Sequence, residues 1–155
     1  MKTWINIAVI FLLVIPVSVY GNPSDTLTVK VLGTAEDARF EPTVLQVDPG
    51  DVIRFEVVEG LHTVTAYHPD NRRAQRIPEE AQSFDSGMLN AGEVWFLKLQ
   101  EKGVYDYFCL PHERMGHAGR IISGTEISMP DYDDRLIPEA VMKTLNRAKR
   151  QIKNR

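Results

Sequence analysis

The sequence predicts an all-β domain, an antiparallel sandwich or barrel, closed by a helical tail. Apolar residues alternate with polar ones through a series of short segments. Turn-forming residues separate those segments at regular intervals. Past residue 136 the apolar spacing changes from two to that of a helix.

The chain opens with Lys2 and an apolar run from Ile5 to Ile15 that only Asn6 interrupts. Small and turn-forming residues then lead through Val19-Tyr20-Gly21 to Asn22-Pro23. This pattern predicts an export signal over residues 1–21, cleaved after Gly21, and hence a periplasmic or secreted protein. The run is short for a membrane span, and no cysteine follows it to carry a lipoprotein anchor. The 134 residues after Gly21 suit one domain with a hydrophobic core. They divide into a β domain over 22–130 and a basic extension over 131–155.

The first strand is marked by Leu27, Val29 and Val31 alternating with Thr26, Thr28 and Lys30. A second covers Val44 to Val47, after Phe40-Glu-Pro42 and before the turn Asp48-Pro-Gly-Asp51. Ile53, Phe55 and Val57 form one face of a third, with Arg54 and Glu56 on the other. Further strands are expected from His62 to Tyr67, from Glu93 to Leu99, from Val104 to Cys109 and around Ile121-Ile122. Residues 68–92 are polar, broken by Pro69 and Pro78, and long for a connection, so they read as a functional loop or a short helix over the sheet. Tyr105, Tyr107, Trp95 and Phe96 read as core aromatics, and Met88 and Met142 as packing residues.

In the tail, Ile137, Val141, Leu145, Ala148 and Ile152 recur at helix spacing, with Pro138 suited to a first turn. Basic residues at its end suit the helix dipole. The plain expectation is a helix laid across the sandwich; the sharper one is a dock for an acidic partner or an anionic membrane surface. Residues 138–155 hold six basic residues against Glu139 alone, whereas 22–137 hold eleven basic against twenty acidic, a net charge of −9. An acidic body with a basic tail argues against a nucleic-acid binder, which needs positive charge over its binding face.

The chemistry concentrates in Cys109-Leu-Pro-His112-Glu-Arg-Met115-Gly-His117, which contains the chain's single cysteine. One cysteine in an exported chain forms no internal disulfide, so a metal ligand is the expected role. Copper held by one thiolate and two imidazoles on a rigid β framework can change charge with little rearrangement of its ligands. His112 follows Cys109 across a turn stiffened by Pro111. The second imidazole is expected from His62, which starts a strand 47 residues upstream, with Thr63 beside it to donate a hydrogen bond to the sulfur. His68 reads as structural.

Phe40-x-Pro42, Val47-x-Pro-Gly-Asp51, Phe55, His62-Thr-Val64, Gly103-Val-Tyr-Asp-Tyr-Phe-Cys109 and Cys109-x-Pro-His112 together resemble the cupredoxins, in their plastocyanin, pseudoazurin and halocyanin-like branch. The resemblance runs from about Thr26 to Gly124. It implies a Greek-key β-sandwich, one type 1 copper ion and one-electron transfer between redox proteins that dock transiently on a monomer. It maps the ligands onto His62, Cys109 and His112, with electrons leaving through His112 inside an apolar patch for which Leu61, Pro111 and Met115 are available. One position departs from the pattern. The family's axial methionine lies eight residues past the cysteine, where this chain has His117; Met115 is the alternative, two residues early. An imidazole there favours Cu(II), which implies a green or otherwise perturbed site of lowered potential.

Rival readings are weaker. His112 and His117 are five apart, while the zinc-protease helix needs four. A histidine three residues from the cysteine in a turn is poorly placed as its base. Four protein ligands leave no open position for a substrate, which argues against an enzyme. Structural zinc on the same residues, and copper tolerance or delivery in place of electron transfer, remain as chemical alternatives.

Overall fold

The computed structural model describes residues 26–153, without the side chains of Glu36 and of residues 148–153. The expected export signal, and the tail's basic side chains from Lys149 onward, lie outside the described residues.

Two four-stranded sheets pack face to face. The strands are β1 (Thr26–Leu32), β2 (Arg39–Glu41), β3 (Val44–Val47), β4 (Val52–Val57), β5 (Leu61–His62), β6 (Thr65–Ala66), β7 (Leu89–Asn90), β8 (Val94–Lys98), β9 (Gly103–Phe108) and β10 (Ala118–Ser123). One sheet has the order β2-β1-β4-β8 and the other β3-β10-β9-β6, while β5 and β7 form a two-stranded ribbon. Alternation sets the inner faces as the sequence predicts. Val29, Val31, Ile53, Phe55, Val57 and Leu97 from the first sheet meet Val47, Tyr105, Tyr107 and Ile121 from the second.

Three expectations need correction. The sandwich is mixed, not antiparallel, because β1 pairs with β4, and β3 with β10, in parallel. Between β1 and β4 the chain visits the other sheet at β3 and returns in its original direction. A period-two pattern reports which face is buried and carries no information on strand direction.

The strand expected from His62 to Tyr67 is split. β5 pairs with β7, and β6 with β9. Between them the Thr63 amide donates to the Cys109 sulfur and the Val64 amide to the Ser86 hydroxyl, so neither joins a ladder.

Two residues assigned to packing are exposed. Phe96 is 57% exposed, since alternation on β8 turns Trp95 and Leu97 inward and Phe96 out beside Arg54. Met88, at the start of the β5–β7 ribbon, is 50% exposed. Trp95, Tyr105 and Tyr107 do pack in the core.

Residues 68–92 contain no α-helix; they form a 3-10 turn at Pro69–Asn71, a β-bridge from Asp85 to Thr65, and β7. The segment is tied down instead: Ile77 and Phe84 enter the core, and the Asn71 side-chain Nδ2 donates to Ala66 O and Phe84 O. It also supplies Arg76, which with Arg120 closes on the fully buried Asp106 at 2.6–2.8 Å. Sequence inspection missed that cluster, because Asp106 looks like the solvent side of an alternating strand.

The outer face of β9 is not solvated at all. Arg76 and Arg120 cover it at Asp106, and helix α1 (Glu139–Lys153) lies beside it on β10 and β3, where Ile137, Val141 and Leu145 cluster with Tyr67, Phe108 and Ala118. The apolar spacing of the tail therefore serves a second core on the far side of the sheet. No helix among the described residues is long and apolar enough to cross a membrane.

Candidate metal centre

Four donor side chains converge at one end of the sandwich. His62 closes β5, Cys109 follows the last residue of β9, His112 sits in the 3-10 turn Leu110–Met115, and His117 precedes β10. Pro111 lies in the first turn of that 3-10 segment, where its missing N–H costs nothing. Gly116 ends it with φ +88°, a conformation suited to glycine. A Cβ there would also lie 2.9 Å from the Ala140 carbonyl of α1. The helix thus backs directly onto the turn.

One ligand atom from each of His62, Cys109, His112 and His117 lies within 4.8 Å of the others. The Cys109 sulfur is 3.5 Å from His62 Nδ1 and 3.4 Å from His112 Nδ1. His62 Nε2 is 3.0 Å from Gly33 O and 2.9 Å from Glu59 O, and carbonyls only accept. Nε2 therefore carries the hydrogen, and Nδ1 presents a lone pair toward the sulfur. Histidines that bind metals are commonly held in one tautomer by an outer hydrogen bond of this kind.

The sulfur is buried. Burial pushes the Cys109 thiol up, while the backbone amides of Thr63 and His112 and the Thr63 side chain pull the other way. The Thr63 amide donates to Sγ at 3.4 Å, and the Thr63 hydroxyl accepts from the Leu110 amide at 2.8 Å.

His117 is fully buried, and neither ring nitrogen has a hydrogen-bond partner. Burial first, then the neighbouring His62 and His112, push its pKa down to about 3; the Arg39 backbone opposes this weakly without meeting hydrogen-bond geometry. His112 is lowered as well, by burial and by His62. His117 is therefore neutral at pH 7, with one unpaired N–H and one free nitrogen lone pair beside a buried sulfur. An orphaned buried imidazole costs stability unless something takes its lone pair. A soft cation fits that set, since it would bind the imidazole and hold the sulfur as thiolate.

The other candidates lie elsewhere. Met115 is 48% exposed at the surface of the turn. His68 stands outside the cluster, where its Nδ1 accepts from the Asp70 amide at 3.2 Å and caps a 3-10 turn. Leu61, Pro111 and Met115 are exposed, as is Leu110, which the sequence reading omitted. The carbonyls of Gly33 and Glu59 were also missed. No sequence signal marks a backbone acceptor 29 residues from its donor.

Known proteins point the same way. Residues 27–123 match the family model described as copper binding proteins, plastocyanin/azurin family. The chain is 32% identical to chloroplastic plastocyanin of Pisum sativum over 101 residues, covering 63% of this chain and 60% of that protein. It is 34% identical to pseudoazurin of Paracoccus pantotrophus over 85 residues, covering 55% and 52%. Among solved structures, pseudoazurin from Methylobacterium extorquens AM1 superposes with a TM-score of 0.66 at 23% identity, covering 83% of this chain and 99% of that one. With a donor set that could hold one copper ion, the chain belongs to the copper-binding plastocyanin/azurin family.

Proposed function

We propose that this chain is an exported one-electron carrier with a single copper ion, its ligands being His62, Cys109, His112 and, in the axial place, His117. The observation that carries the reading is the fully buried His117, whose two ring nitrogens have no partner while it faces the same sulfur as His62 and His112. Bound copper would supply a change of one charge at the site, the chemistry that electron carriage requires.

The chain's own residues serve that role in three ways. The Gly33 and Glu59 carbonyls hold the His62 ring in one tautomer. The Thr63 amide fixes the sulfur and offers it a partial positive charge. His112, partly exposed beside Leu110, Pro111 and Met115, brings the edge of the donor set closest to a partner. A small apolar rim of this type suits transient docking of another redox protein on a monomer. With four protein donors no position is open to a substrate, so the reading is a carrier and not an enzyme.

The family resemblance and the N-terminal pattern support export to the periplasm or beyond, with 1–21 removed. The domain division at residue 130 and the contact of the basic tail with lipid or protein belong to the same proposal. The imidazole of His117 also supports a second reading, copper tolerance or delivery, because a strong fourth donor holds Cu(II) more firmly than shuttling needs.

The test is the visible spectrum of the mature protein with one equivalent of Cu(II). An intense thiolate-to-copper band, green or otherwise displaced from blue, is expected, and Cys109→Ser should abolish it. A colourless protein that binds zinc in place of copper would overturn the reading. A slow self-exchange rate, with copper-sensitive growth of a strain lacking the gene, would favour the tolerance alternative.

A further inference from the structure

A charged pair outside the donor set grips the ligand turn from behind. Glu113 follows His112 directly and is 8% exposed. Its carboxylate accepts from Arg73, with Nε 3.0 Å from Oε1 and Nη2 2.7 Å from Oε2. The same guanidinium lies 5.0 Å from the ring centroid of Phe108, the residue before Cys109. The Tyr67 ring packs on Phe108 at 4.5 Å, and its buried hydroxyl stands beside the Glu113 carboxylate, outside strict hydrogen-bond geometry. One side chain from the 68–92 segment therefore touches the chain just before Cys109 and just after His112.

A well-packed apolar pair would cost less than a carboxylate taken out of water. What the ion pair adds is direction. The planar fork of arginine meets a carboxylate in one orientation and stacks on an aromatic face, which lysine cannot reproduce. We propose that Arg73 and Glu113 are positioning residues that bracket the Cys109–His112 turn and keep His112 at a preset distance from Cys109. The inference rests on the carrier reading above, in which a ligand that stays in place on oxidation and reduction speeds electron exchange.

The experiment compares the full mature chain with R73M/E113L, a pair chosen because replacing both partners by apolar groups commonly preserves stability. The first readout is amide hydrogen exchange in the metal-free protein. The His112 amide donates to Cys109 O at 3.0 Å and the Gly116 amide to Glu113 O at 2.9 Å, so both report the turn. Exchange at these two should quicken about tenfold, while the Tyr107 and Ile121 amides of the core keep their rates. The second readout is electron self-exchange of the copper-loaded protein, expected to slow by about tenfold. Unchanged exchange at His112 and Gly116, or an equal acceleration across the core, would overturn the proposal. Should the double variant fail to fold, Glu113→Gln retains the shape and one acceptor; about threefold faster exchange at the same two amides is expected, and no change overturns the proposal. A wild-type protein that binds no copper would remove the carrier reading, yet the exchange result in the metal-free chain would stand.

Discussion

Thr63 holds Cys109 and the residue after it: the Thr63 amide donates to the Cys109 sulfur at 3.4 Å, and the Thr63 hydroxyl accepts from the Leu110 amide at 2.8 Å. The pair links the ribbon bearing His62 to the turn bearing His112. Thr63→Val keeps the shape and the first bond but leaves the Leu110 amide without its acceptor. That bond is only partly buried, so its loss costs about 1 kcal/mol, the net value of an ordinary hydrogen bond. Urea unfolding of the metal-free variant should show that loss, and an unchanged midpoint would mean that water replaces the hydroxyl.

Asp106 is the buried centre of the ionic cluster on the outer face of β9. Its carboxylate accepts from Arg76 at 2.8 Å and from Arg120 at 2.6 and 2.8 Å, with all three side chains at least 94% buried. Asp106→Ala leaves two guanidinium groups against each other, a change of the kind that costs roughly 3–5 kcal/mol. Arg76 keeps Asp134 at 2.6 Å, which softens the loss on that side. Thermal unfolding measures the effect. A loss under about 1 kcal/mol would show that the cluster reorganises around Asp134, since that is the range of an exposed pair.

These two cases show what a reading of residues can and cannot reach. Ile53, Phe55 and Val57 declare their face because burial on one side leaves a period of two. Ile137, Val141 and Leu145 declare theirs because a helix repeats at 3.6. Cys109, His112 and His117 are close in sequence, and His62 was picked out by its place at the start of a strand 47 residues before Cys109; the structure brings the four together. Strand direction leaves no mark in alternation, so the parallel pairs β1–β4 and β3–β10 were missed. Asp106 was missed because its partners lie 30 and 14 residues away. The single strand expected from His62 to Tyr67 failed at Thr63, whose amide goes to a sulfur and not to a ladder.

The metal-free protein should lose stability in mild acid through His117. Its pKa is pushed to about 3 in the folded chain by burial, then by His62 and His112, against about 6.5 when unfolded. Between these values the unfolded chain binds the proton and the folded chain does not, so stability falls as pH falls. The contribution is fully present above pH about 6.5 and declines by roughly 1.4 kcal/mol per unit below it, about 2 kcal/mol by pH 5. His112, lowered for the same reasons of burial and a neighbouring imidazole, acts in the same direction. Urea midpoints at pH 7 and pH 5 for the wild type and His117→Leu test this. The variant should lose less on acidification; equal losses would show that His117 is reached by water in the folded chain.

His117→Met tests the fourth donor directly. Both ring nitrogens of His117 are buried, and its ring lies 5.0 Å from that of His62 and 4.1 Å from that of Phe40. A methionine fills a similar space in that apolar setting with a flexible thioether. A thioether is a weaker, softer donor than an imidazole and stabilises Cu(I) relative to Cu(II). The copper-loaded variant should therefore show its thiolate band moved toward the blue pattern and a higher reduction potential than the wild type. Voltammetry and visible absorption on the same samples check both. If neither quantity moves while copper still binds, the nitrogen of His117 is not a ligand, and the exposed Met115 becomes the residue to replace next.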